Sequence, residues 1–118
     1  MKKQFRYFNV EQRGDVTLVT MTWRDFLNQL ANVELKVELM KYAREESPTR
    51  LVVNFENVDR FSTELIGTML SVKKLLGEEG AIRLCCMDEL QRDVFRLLQL
   101  DGTVFEIHDT VDSALESL

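Results

Sequence analysis

The chain has 118 residues, 45% of them hydrophobic and 30% charged, with a formal net charge of -5. This is the composition of an ordinary globular protein, and the length supports a single unassisted hydrophobic core. Acids and bases interleave, and the only basic clusters are Lys2-Lys3 and Lys73-Lys74, so no patch suits a nucleic-acid backbone. No apolar stretch approaches the roughly 18 residues of a bilayer crossing. The opening MKKQFRYFNVEQRG has no uninterrupted apolar run, so a signal peptide is not expected and a cytoplasmic location is.

Residues 5–10 and 15–22 read as two strands. The second places Val16, Leu18 and Thr20 on one face and Thr17, Val19 and Met21 on the other. Gly14 between them can take a positive φ, so the chain is expected to open with a hairpin. Residues 22–31 hold Trp23, Phe26, Leu27 and Leu30 without a clean period. From Asn32, a plausible N-cap, Leu35, Leu39, Tyr42 and Ala43 recur at helical spacing until Ser47-Pro48 ends the run. Residues 51–55 (LVVNF) read as a strand buried on both faces.

Leu65, Ile66, Met69, Leu70, Val72 and Leu76 then form an amphipathic helix closed by Gly77 and Gly80. Residues 81–87 (AIRLCCM) are a further strand, and Asp88 caps a helix through Leu90, Val94, Leu97 and Leu98. Residues 104–107 are a last short strand, and Asp109 or Thr110 caps a final helix through Val111, Ala114 and Leu115. The order β-β-α-β-α-β-α-β-α implies crossover connections, hence an α/β domain with a largely parallel sheet and an antiparallel pairing at one edge.

Catalytic constellations are not expected. The single histidine, His108, follows the last strand, and the five glycines are scattered at turns rather than gathered in a phosphate loop. Cys85 and Cys86 are adjacent; in a strand they would point to opposite faces. Without further Cys or His at ligand spacing they suggest buried, inert thiols rather than a metal site. Glu45-Glu46 and Glu78-Glu79 read as solvent-facing charges at helix ends. One stretch stands apart, VDRFSTELIG at residues 58–67. It lies past the carboxyl end of a buried strand, where open α/β sheets collect ligands and partners. Ser62 can cap the helix and Glu64 can complement its dipole; that reading leaves Thr63 without a role.

From end to end the chain resembles the STAS family, the sulfate-transporter and anti-sigma-antagonist domain. The likeness is carried by LVVNFENVDRFSTELIG (51–67), GAIRLCCM (80–87) and VFRLLQLDGTVFEIHDT (94–110), together with the element order. It implies one STAS-like domain over residues 1–118, with a mixed, mostly parallel central sheet and about four helices. Small members of the family resemble anti-anti-sigma factors, whose loop Asp-Ser-Ser/Thr-Gly-Leu-Gly is phosphorylated by an anti-sigma factor that is also a kinase. By this resemblance the chain is an anti-sigma factor antagonist in a partner-switching system. It binds the anti-sigma factor unphosphorylated, is released by phosphorylation, and is reset by a serine phosphatase, with no catalytic residue, cofactor or metal of its own.

Laid on the family motif, Gly67 matches the last glycine, Thr63 the first hydroxyl and Glu64 the second, while Ser62 takes the place of the aspartate and Leu65 of the first glycine. The resemblance makes Thr63 the first phospho-acceptor and Ser62 the second. It assigns partner binding to Asn57, Asp59, Arg60, Phe61, Ser62, Thr63 and Glu64. Because Glu64 sets a fixed charge in the motif, two readings stay open: a switch through Thr63, or binding that is not regulated this way. The alternative role is a non-switching STAS scaffold or subunit of a stressosome-like or membrane transport complex.

Overall fold

The alternation of Val16, Leu18, Val19 and Met21 is met by a two-faced sheet. In the computed structural model, which describes residues 2–118, β2 (Phe8–Arg13) and β3 (Val16–Met21) form an antiparallel hairpin with Val10 opposite Val19. Gly14, at φ +65°, makes the turn. A short β1 (Lys2–Gln4), not expected from the sequence, extends the antiparallel edge by pairing with β2. Beyond β3 the sheet is parallel: β5 (Arg50–Asn54), β7 (Ala81–Cys85) and β8 (Glu106–His108) give the order β1-β2-β3-β5-β7-β8. The expected α/β class and mixed sheet are found. A second, two-stranded sheet of β4 (Asp25–Phe26) and β6 (Arg60–Phe61) is new.

Four helices cover the sheet unequally. From α1 (Gln29–Glu46), α2 (Thr63–Leu76) and α3 (Glu89–Leu97), the residues Leu35, Leu39, Leu65, Met69, Val72 and Phe95 pack with Val19, Met21, Leu51, Val53 and Leu84 in the main core. On the other face, α4 (Val111–Glu116) sets Ala114 against Val16, Leu18, Val52 and Cys85. Among the described residues no helix is long and apolar enough to cross a membrane.

Several boundaries differ from expectation for identifiable reasons. Helix α1 starts at Gln29 with Asn28 as cap, whose side chain accepts from Ala31 N at 2.9 Å; Asn32 lies inside the helix and is buried. Exposed Leu30, Val33 and Val37 blur the helical period there. Strand β8 begins at Glu106 because Val104 N and Phe105 N both donate to Leu100 O in a preceding turn. Thr110, not Asp109, caps α4 by accepting from Ser113 N at 3.0 Å. Cys86 has φ +66°, which turns its side chain into the same α4-side cluster as Cys85 rather than to the opposite face. Burial raises both thiols above the ordinary cysteine range, which disfavours the reactive thiolate.

Gly67 sits inside α2, where an added Cβ would meet nothing within 4 Å. Glycine costs a helix interior up to about 1 kcal/mol relative to alanine. Gly67→Ala is therefore expected to stabilise the domain by that order, read as a rise in the urea midpoint with an unchanged slope.

Candidate partner-binding loop

The segment from β5 to α2 is tied down at almost every residue. Past the end of β5, Asn54 Oδ1 accepts from Glu56 N at 2.9 Å and its Nδ2 donates to Glu56 Oε1 at 3.1 Å. Val58 N then donates to Phe55 O at 2.9 Å, and Asn57 Nδ2 to Met21 O at 3.1 Å. Next the chain meets the segment before α1: Asp59 N and Arg60 N both donate to Arg24 O, at 2.8 and 3.3 Å. In the β4–β6 pair Asp25 lies beside Arg60 and Phe26 beside Phe61. Two ion pairs cross the junction, Arg24 with Asp59 at 2.8 Å and Arg60 with Asp25 at 3.0 Å. Both are exposed, so each adds little beyond what the backbone bonds supply.

Below the loop, α3 holds it from within. Asp88 and Gln91 form a capping box, and the buried Gln91 Nε2 also donates to Val58 O at 2.7 Å and Asp59 O at 3.2 Å. Phe61 sits edge-on to Phe55 and to Phe95, with centroids 6.1 and 6.0 Å apart, and Phe95 continues to Phe105 at 5.9 Å. Gln91→Leu removes the capping-box partner and leaves the buried Val58 carbonyl without its donor. Its expected cost is about 1–3 kcal/mol, with faster amide hydrogen exchange at residues 59–61, measured by denaturant titration and exchange mass spectrometry.

These contacts divide the expected partner-binding residues. Asn57, Asp59, Arg60 and Phe61 are engaged in building the loop, though the side chains of Asp59 and Arg60 remain exposed on its rim. Ser62, with extended backbone, is the N-cap of α2; its Oγ accepts from Glu64 N at 3.3 Å. Thr63, the first residue of α2, is exposed, and its hydroxyl makes no hydrogen bond among the described residues. Glu64 is also exposed and suits the positive end of the helix. Beside them lies an open depression of about 280 Å³ bordered by Leu27, Phe61, Leu90 and Val94 with Arg60 and Asp88. Leu90 there is 79% exposed.

Sequence reasoning missed Arg24, Asp25 and Gln91 as parts of this site. A signal for the first two was present: Arg-Asp-Phe at 24–26 and Asp-Arg-Phe at 59–61 carry crossed charges followed by the same aromatic. Elsewhere, both ring nitrogens of His108 are taken up, by Ser113 Oγ at 2.7 Å and Glu106 Oε1 at 2.8 Å. Among the described residues no three His, Cys, Asp or Glu side chains gather as metal ligands.

A family model described as the STAS domain matches residues 7–114. No curated protein sequence matches the chain. The fold is similar to that of a candidate anti-sigma factor antagonist from Thermotoga maritima, with a TM-score of 0.82 at 18% identity, covering 93% of this chain and 92% of that one. It is similar also to an anti-sigma factor antagonist from Mycobacterium paratuberculosis, with a TM-score of 0.81 at 20% identity over 93% and 91% of the two chains. The Bacillus cell fate determinant SpoIIAA in its phosphorylated form gives a TM-score of 0.68 at 18% identity over 93% and 97%.

Proposed function

The chain belongs to the STAS domain family, and from that premise we propose that it is a non-enzymatic anti-sigma factor antagonist whose binding is switched off by phosphorylation of Thr63. The observation that carries this reading is the contrast between neighbouring hydroxyls. Ser62 is occupied as a helix cap, whereas Thr63 stands exposed at the head of α2 on a loop fixed from three sides. A rigid, accessible acceptor suits a kinase that must recognise the folded domain. Phosphate adds about -1.5 to -2 charges at neutral pH, and the free N–H groups of a helix start tolerate it. The fold can then persist while the surface beside Glu64 becomes more negative.

The partner in this reading is an anti-sigma factor with serine/threonine kinase activity, and a phosphatase resets the cycle in the cytoplasm. The test is to incubate the protein with that kinase from the same genome and ATP, then measure intact mass. One phosphate should appear on the native chain and on Ser62→Ala, and none on Thr63→Ala. Phosphate persisting on Thr63→Ala refutes the assignment. A second reading, a scaffold without a switch, is favoured by Glu64, which places a permanent carboxylate beside Thr63. It predicts stable complex formation with no mass gain in any variant.

A further inference from the structure

Helix α1 is apolar on two opposite sides. Ala31, Leu35, Leu39 and Tyr42 face the core. Leu30, Val33 and Val37 stand on the far side, 65%, 52% and 63% exposed, and the half-buried Met40 follows them. Their spacing of three, four and three residues is that of the a and d positions of a heptad. On that register the core-facing residues fall at b, c and f, away from the seam. Arg44, at the next a position, ends the apolar run. Helix α2 packs against α1 without covering these side chains. A surface helix of a lone domain needs one apolar stripe, and a second one turned to water marks an interaction surface.

We propose that this seam pairs with the same seam of a second copy of the chain, the two α1 helices lying antiparallel across a two-fold axis between Val33 and Val37. A two-fold contact must be self-complementary, and both the apolar and the charged residues meet that condition. With the axis there, Val33 of one copy meets Val37 of the other, and Leu30 meets Met40. The axis also turns each flank of the helix onto the same flank of the other copy. Glu34 and Lys41 lie one heptad apart on one flank, so Glu34 of each copy comes within reach of Lys41 of the other, twice over. Tyr7 Oη positions Glu34 by donating to it at 2.7 Å, and the Glu34 side chain remains 35% exposed. Lys41 has only a loose contact with Glu45, at 3.9 Å. A parallel pairing would instead set Lys36 beside Lys41 of the other copy, like charges that repel, so the charges select the antiparallel arrangement. Beside the seam an open depression of about 610 Å³, bordered by Phe5, Val37 and Tyr42, has room for side chains of the second copy. From Leu30 to Met40 the seam is about 15 Å long, so the contact is at the small end for specific association.

The inference does not depend on the phosphorylation reading, and its test uses the unphosphorylated chain alone. Sedimentation equilibrium from micromolar to millimolar loading should give the mass of one chain at the dilute end and twice that mass at the concentrated end. The expected dissociation constant is about 10–100 μM. Val37→Glu sets two carboxylates in the seam from a position exposed in the single chain. It should weaken association at least about tenfold, with circular dichroism unchanged. Lys41→Glu reverses the charge opposite Glu34 and should weaken association by about tenfold. For orientation, equimolar Val33→Cys and Val37→Cys chains, with oxidised glutathione as the oxidant, should form the mixed disulfide in preference to either self-pair. The mass of one chain at every concentration, a dimer that either charged variant leaves intact, or self-pairs outnumbering the mixed disulfide overturns the proposal.

Discussion

A Thr63→Glu variant is expected to bind the kinase-type anti-sigma factor about a thousandfold more weakly than the native chain, with an unchanged melting curve. A thousandfold is about 4 kcal/mol, within reach of one charge placed in a packed contact. The side chain of Thr63 is exposed and free of internal hydrogen bonds, so its replacement breaks nothing within the domain. An acid in the first turn of α2 is favourable to the helix, which is why no loss of stability accompanies the loss of binding. Thr63→Ala, by contrast, should bind as tightly as the native chain and resist release by ATP. Calorimetric titration of both variants separates the cases; equal affinity for Thr63→Glu and Thr63→Ala removes the charge switch.

Phe95→Ala should destabilise the domain by about 3–5 kcal/mol, the usual range for deleting a buried phenyl ring. That is a large share of the roughly 5–15 kcal/mol that holds a domain of ordinary stability. Phe95 is fully buried and stands between Phe61 and Phe105 in a run of edge-to-face rings; each such pair adds about 0.5–1.5 kcal/mol beyond burial. The ring also supports Phe61 and, through it, the loop that leads to Thr63. Urea denaturation should show the loss of stability, while Phe95→Leu, which keeps most of the volume, should cost less. If Phe95→Ala unfolds with the native midpoint, Phe95 does not carry that part of the core.

The strands and helices that bury large apolar faces were legible in the sequence, since Val16 to Met21 and Leu65 to Leu76 state their period and Leu51 to Phe55 is a continuous run buried on both faces. What escaped was decided by tertiary partners. Asp25-Phe26 has no pattern of its own and becomes a strand only because Arg60-Phe61 lies alongside. The start of α1 was misplaced because Leu30 and Val33 face solvent, against the rule that apolar residues mark the core. At the site, the residue types around Thr63 could be read, and the capping role of Ser62 followed from local chemistry. Gln91 could not be anticipated, because its bonds to Val58 and Asp59 span more than thirty residues.

The crossed pairing of β4 with β6 has a kinetic side. Asp25 and Arg60 are 35 residues apart in the chain, so bringing them together closes a long loop for a return of two short strands and two screened charges. Contacts of such separation repay their closure entropy late in folding, and elements held by few buried contacts are the first to open in the native state. The two exposed ion pairs are therefore expected to close late, onto a loop that buried Phe26, Val58 and Gln91 already hold in place.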